Sequence, residues 1–308
     1  MENAPAEGKR GVAPHGEGTS PFDRLRARGL LGQILLASAV IIAALLGMSR
    51  TLRQPGYTGA GAVMVYVGIL IVLFIRAHGV KLDWRKLMGR PAELADLPLL
   101  GVVIPLALIT IGAMYLVFVP ISYVEPELVE RIVNDSTMFD VKTPLQFAVL
   151  VFAMVVAAPV VEEILFRGFL LHRWARRWGT PAGVVVSSIA FAIGHAEWLG
   201  HFLTGMVFAL LYLRTRSLWV PMLAHALNNL LAAVPMAWTF FTHEKEAHTA
   251  LGEFRGDLGV GVVTFAGGVL LLWMYRDLYW PGDTPARAFS GAAPYDAAAG
   301  EPPSTSLS

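Results

Sequence analysis

Polar residues able to do chemistry are concentrated on three apolar stretches in the second half of the chain. Glu162 and Glu163 lie within Pro144 to Leu171, His195 near the end of Ala182 to Ala196, and His225 and Asn229 four residues apart within Leu218 to Phe241. An ionisable group at membrane depth costs about 3 kcal/mol or more, so such residues mark function by default. A buried carboxylate beside an imidazole can take a proton from water. A second histidine with an asparagine amide can donate to the oxygen that turns negative when that water attacks a carbonyl. This inventory suffices for peptide hydrolysis without a covalent intermediate. The same residue types permit a second arrangement, in which Glu162, His195 and His225 hold a zinc ion that activates the water. The His225-x-x-x-Asn229 pair suits oxyanion contacts better than a closed ligand set, which favours the metal-free arrangement.

The neighbours of these residues divide by helical spacing. Residues four apart share a helix face, whereas adjacent ones point about 100° apart. Glu163 and Arg167 are therefore expected to form a supporting ion pair, leaving Glu162 to face elsewhere. His201 falls at the outer end of its apolar stretch, where a solvated or interfacial imidazole is expected. Other peptidase chemistries lack their residues. The chain has no cysteine, no Gly-x-Ser-x-Gly, and no Gly-Asp pair on an apolar stretch. His243-Glu244-Lys245-Glu246-Ala247-His248 resembles a zinc helix, but its histidines are five apart and diverge by about 140° on a helix. It reads as a solvated loop.

The elements that must position the site are membrane helices. Of 308 residues, 55 % are apolar and 15 % charged, and mean hydropathy is +0.57. A chain this apolar has lipid as its main solvent. A net charge of +1 offers no basic surface for nucleic acid. Eight apolar stretches stand out: Leu30 to Met48, Gly59 to Ile75, Leu97 to Ile121, Pro144 to Leu171, Ala182 to Ala196, Phe202 to Leu213, Leu218 to Phe241 and Leu258 to Tyr275. The fifth and sixth are short and joined by the polar break Glu197 to His201, with one bent or partly re-entrant pair as the alternative. Arginine and lysine cluster on alternate connections, such as Arg76 to Arg90 and Arg173 to Arg177. The longest of the others, Ser122 to Thr143, is acidic, with Glu125, Glu127, Glu130, Asp135 and Asp140; Arg50 and Arg53 interrupt the pattern. This asymmetry predicts an all-α bundle of about eight spans with both termini cytoplasmic. Counted at 1.5 Å per residue from the expected cytoplasmic ends, Glu162, His195, His225 and Asn229 fall about 12 to 20 Å deep, near the middle of a core about 30 Å thick. The organisation expected is a disordered tail over 1–28, N-terminal membrane helices over 29–143, a catalytic core over 144–241, an outer loop and last helix over 242–280, and a second disordered tail over 281–308. Trp198, Trp219, Trp238, Trp273 and Trp280 lie near stretch ends, as an interfacial belt requires.

Three segments also carry a family resemblance. Ala158-Pro159-Val160-Val161-Glu162-Glu163-Ile164-Leu165-Phe166-Arg167-Gly168, Phe191-x-x-x-His195 and His225-Ala226-x-x-Asn229 resemble, in order, the three motifs of the CAAX-prenyl-protease type 2 and bacteriocin-processing family, also called Abi. Tyr212 to Met222, between the second and third, is similar to the family as well. The resemblance covers roughly Pro144 to Ala233. It implies an intramembrane protease in which Glu162 and His195 activate water while His225 and Asn229 stabilise the oxyanion. The expected partners are a membrane-associated protein or peptide substrate and the lipid bilayer, with a bacterial cytoplasmic membrane as the expected location. A second reading is a catalytically silent scaffold or regulator of the same fold. The intact set of Glu162, His195, His225 and Asn229 favours the enzyme.

Overall fold

The computed structural model describes residues 20–47, 58–134, 141–242, 249–281 and Tyr295. Arg50, Arg53, Asp135, Asp140, the His243 to His248 segment and most of both tails lie outside the described residues. The protein is an all-α membrane bundle. Its long helices are α1 (Ala27–Gly47), α2 (Thr58–Gly79), α3 (Leu94–Ser122), α4 (Pro144–Trp178), α5 (Thr180–Ile193), α6 (Trp198–Thr215), α7 (Trp219–Thr242) and α8 (Leu258–Met274). Among the described residues α3, α4, α7 and the Gly59–Gly79 part of α2 are long and apolar enough to cross a membrane. The 14 residues of α5 span only about 21 Å at 1.5 Å each, short of the roughly 30 Å hydrocarbon core.

Each expected apolar stretch coincides with a helix, and the differences lie at the ends. α4 continues past Leu171 to Trp178 and stops at Gly179, whose φ of 87° no helix contains. α6 begins at Trp198, because the Glu197 carboxylate accepts from the Gly200 N–H at 2.8 Å and caps the helix. α5 ends at Ile193, so His195 lies in the short break before α6 rather than on a helix. All five tryptophans of the expected belt are at least 40 % exposed.

Two aromatic residues depart from the expectation of unstructured tails. Phe22, on the short helix Pro21–Arg24, is 1 % exposed, and Tyr295 is 5 % exposed. Their rings meet edge to face at 5.2 Å, and both pack on His172 near the end of α4. His172 Nδ1 lies 2.8 Å from the Gly168 carbonyl. A carbonyl only accepts, so Nδ1 carries the proton. Nε2 then accepts from the Tyr295 N–H and the Tyr212 hydroxyl, both at 3.1 Å. Burial of an aromatic ring offsets part of the ordering entropy of the chain around it, and among the described tail residues Phe22 and Tyr295 are buried in this way.

The closest helix pair depends on missing side chains. α8 lies against α3 so tightly that a Cβ on Gly112 would sit 2.4 Å from the Phe265 backbone nitrogen, and one on Gly268 2.9 Å from that of Ile109. Small residues let membrane helices approach backbone to backbone, where packing rather than hydrophobicity supplies the attraction. Nothing lies within 4 Å of the corresponding position on Gly267. Gly112→Ala and Gly268→Ala are therefore expected to cost about 1–3 kcal/mol each by overpacking, while Gly267→Ala leaves stability unchanged or slightly raised. Thermal unfolding of the three variants in detergent checks this; equal midpoints would contradict the close contact.

Candidate active site

The local geometry of α4 begins with Pro159. It has no N–H to donate, and the turn before it is wide: the Ala158 N–H reaches back five residues to the Ala153 carbonyl. The Met154 carbonyl then has no helical donor, since Ala158 is engaged and Pro159 has none. Asn229 of α7 fills the gap, its amide donating to the Met154 oxygen at 2.8 Å. The α-helical piece Ala158–Glu163 lies between this π-helical segment, Ala153–Ala157, and a second one, Ile164–Leu171. Wide turns of this kind are frequent at functional sites. They bracket the two glutamates.

Glu163 is fully buried and accepts at Oε1 from Arg167 Nη1 at 2.7 Å. The same oxygen accepts from His225 Nδ1 at 3.0 Å. Arg167, 1 % exposed, donates from Nη2 to the Gly205 carbonyl of α6 at 2.9 Å. Its guanidinium also lies 4.6 Å from the ring centre of Phe191 on α5. Glu163 and Arg167 are thus more than a pair on one helix face. They tie α4 to α5, α6 and α7 in one polar network.

Glu162 points elsewhere. Its Oε1 accepts from the Tyr66 hydroxyl of α2 at 2.9 Å. Its Oε2 is buried and without a hydrogen-bond partner among the described residues, 3.9 Å from His225 Nε2. With the His225 Nδ1 proton directed at Glu163, Nε2 is the ring nitrogen turned towards Glu162. A gap of 3.9 Å is too long for a direct hydrogen bond, and both atoms retain capacity for a water or a reacting group.

His195 reaches the cluster through Phe191. Its ring lies 4.7 Å from that of Phe191, which His225 also contacts at 5.7 Å. Its Nδ1 donates to the Phe191 carbonyl at 3.0 Å, so the free lone pair of the neutral ring is at Nε2. The structure therefore places His225, rather than His195, directly beside Glu162. His201, expected to be solvated or interfacial, is partly exposed, stacked on His195 with centroids 4.0 Å apart and bonded to the Glu197 carbonyl oxygen at 2.5 Å. The helix α6 starts one turn earlier than its apolar pattern, which brings His201 inside the helix. Sequence reasoning missed Tyr66 altogether: a lone tyrosine in an apolar stretch has no spacing signal. Among the described residues no three His, Asp or Glu side chains converge as a metal-binding set. Glu162, His195 and His225 are not gathered as such a three-ligand set among the described side chains.

Residues 144–231 match the family model of type II CAAX prenyl endopeptidase Rce1-like proteins. That segment is the part of the chain similar to the Rce1-like family. It runs from the first residue of α4 to just past Asn229, so it contains Glu162, Glu163, Arg167, His195, His225 and Asn229, but not Tyr66. A curated protein of Bacillus subtilis (strain 168), named "Putative membrane peptidase YdiL", is 33 % identical over 100 residues, 31 % of this chain and 40 % of that relative. The chain thus matches less than half the length of this relative. No solved structure matches.

The polar network of the Rce1-like segment yields a test. Breaking one member of a buried ion pair strands the other and costs about 3–5 kcal/mol. Glu163→Gln and Arg167→Met should each lower the thermal midpoint sharply. The double variant should recover much of the loss, because the introduced amide oxygen still accepts from His225. Additive losses across this cycle would show that the pair is not coupled.

Proposed function

We propose that the protein is an intramembrane endopeptidase that hydrolyses a peptide bond of a membrane-associated protein or peptide in a bacterial cytoplasmic membrane. The observation that carries this reading is Glu162: a buried carboxyl group whose only hydrogen bond within the described residues comes from a neutral phenol, with its second oxygen facing an imidazole. A scaffold accounts for Glu163 and Arg167, whose charges compensate each other. It does not account for Glu162, since an apolar residue there would pack without the desolvation cost.

In the proposed reaction, Glu162 Oε2 takes a proton from water, assisted by the Nε2 lone pair of His195, and the water oxygen bonds to the substrate carbonyl carbon. The carbonyl oxygen becomes negative and is stabilised by two donors. One is the Asn229 amide hydrogen not given to Met154; the other is His225, which donates from Nε2 in its imidazolium form while Glu163 holds Nδ1. The C–N bond then breaks, and the leaving nitrogen takes the proton from Glu162. The family match over 144–231 and the peptidase name of the relative support this reading.

Glu162→Gln keeps size and removes the proton acceptor. It should reduce turnover by at least the ~10²-fold typical of losing a general base, with folding intact. Mass spectrometry of new chain ends in membranes expressing wild type or Glu162→Gln reads this directly, and identical end groups in the two would sink the proposal. The metal-free chemistry has its own check. Purified protein should contain substoichiometric zinc by elemental analysis and keep its activity in chelator; stoichiometric zinc, lost with activity and restored with it, would replace this mechanism by a metal-activated one.

A further inference from the structure

The structure assigns Tyr66 of α2 as a positioning residue for Glu162, supplied from outside the Rce1-like segment. The assignment rests on the endopeptidase reading above. Tyr66 lies 78 residues before the matched segment begins, and nothing in the ordered motifs points to it.

The packing of α2 on α4 fixes its reach. A Cβ on Gly59 would meet the Leu150 backbone at 2.7 Å, so the two backbones touch near the start of both helices. From that contact Tyr66 is seven residues along α2 and Glu162 twelve along α4, rises of about 10 Å and about 18 Å. The phenol side chain spans the remainder and ends 2.9 Å from Glu162 Oε1. Tyr66 therefore cannot shift along Glu162 without parting the Gly59 contact.

The chemical consequence concerns which oxygen works. A carboxylate offers two oxygens of equal basicity in water. Here Oε1 is occupied by the Tyr66 hydroxyl, so the water proton is directed to Oε2, the oxygen that faces His225 Nε2 at 3.9 Å. In the reaction the water O–H bond breaks and an Oε2–H bond forms; the same proton later leaves to the departing nitrogen. Tyr66 keeps its own proton throughout. It acts on orientation, and belongs to the turnover step rather than to substrate binding.

The test uses full-length protein and a quenched fluorescent peptide built on the cleavage site found by end-group mass spectrometry. Tyr66→Phe removes the hydroxyl and keeps the ring. A lost hydrogen bond to a charged group is expected to lower kcat about 10- to 100-fold, with KM and the thermal midpoint changed little. In a Glu162→Asp background, whose shorter side chain no longer reaches the phenol, Tyr66→Phe should lower kcat less than twofold. Replacing Tyr66 with 3-fluorotyrosine, which leaves the shape and strengthens the donor, should change kcat without changing the midpoint. Unaltered kcat in Tyr66→Phe, an equal loss in both backgrounds, or a loss that follows the midpoint alone would each overturn the assignment. Failure of the endopeptidase reading would look different: membranes with wild type and with Glu162→Gln would then give identical end groups, and no cleavage site would emerge on which to build the peptide.

Discussion

A charged pair buried in an apolar bundle is the constraint on which the rest depends. Neither Glu163 nor Arg167 can be left alone in so poor a dielectric, and each makes a further hydrogen bond to a different helix. Arg167 takes the Gly205 carbonyl and the Phe191 face; Glu163 takes the His225 ring. Four helices are thereby held at fixed separations by groups that are costly to unpair. Because His225 is held at Nδ1, its other nitrogen is aimed. The site inherits its geometry from this buried pair.

The backbone of α4 contributes a second constraint of the same kind. Pro159 removes a donor, the preceding turn widens, and Asn229 supplies the missing hydrogen bond across the helix interface. His225 and Asn229, four apart on α7, thus both grip α4, one through a side chain and one through a carbonyl. An asparagine engaged by one amide hydrogen has its other hydrogen pre-oriented, which is the condition for stabilising charge without reorganisation.

Much of this was legible in the sequence, and the limits are physical. Long apolar stretches specify helices because every backbone group in lipid must be satisfied internally, and the i, i+4 rule placed Glu163 with Arg167 and separated them from Glu162. What spacing could not show is pairing between helices. The choice of His225 over His195 beside Glu162, the Tyr66 contact and the stacking of His201 all depend on how distant helices dock. The early start of α6 follows from one capping carboxylate, a local signal that the hydropathy pattern outweighed. The burial of Phe22 and Tyr295 was hidden by the polar composition around them, since composition averages over a segment and a single aromatic anchor does not move the average.

Phe22 and Tyr295, 273 positions apart in the sequence, meet at His172 on the same helix. His172 stands ten residues beyond Glu162 along α4, and its ring proton is tied to the Gly168 carbonyl in the intervening wide-turned segment. His172 therefore joins two aromatic residues from distant parts of the sequence to the wide-turned segment that follows the glutamates.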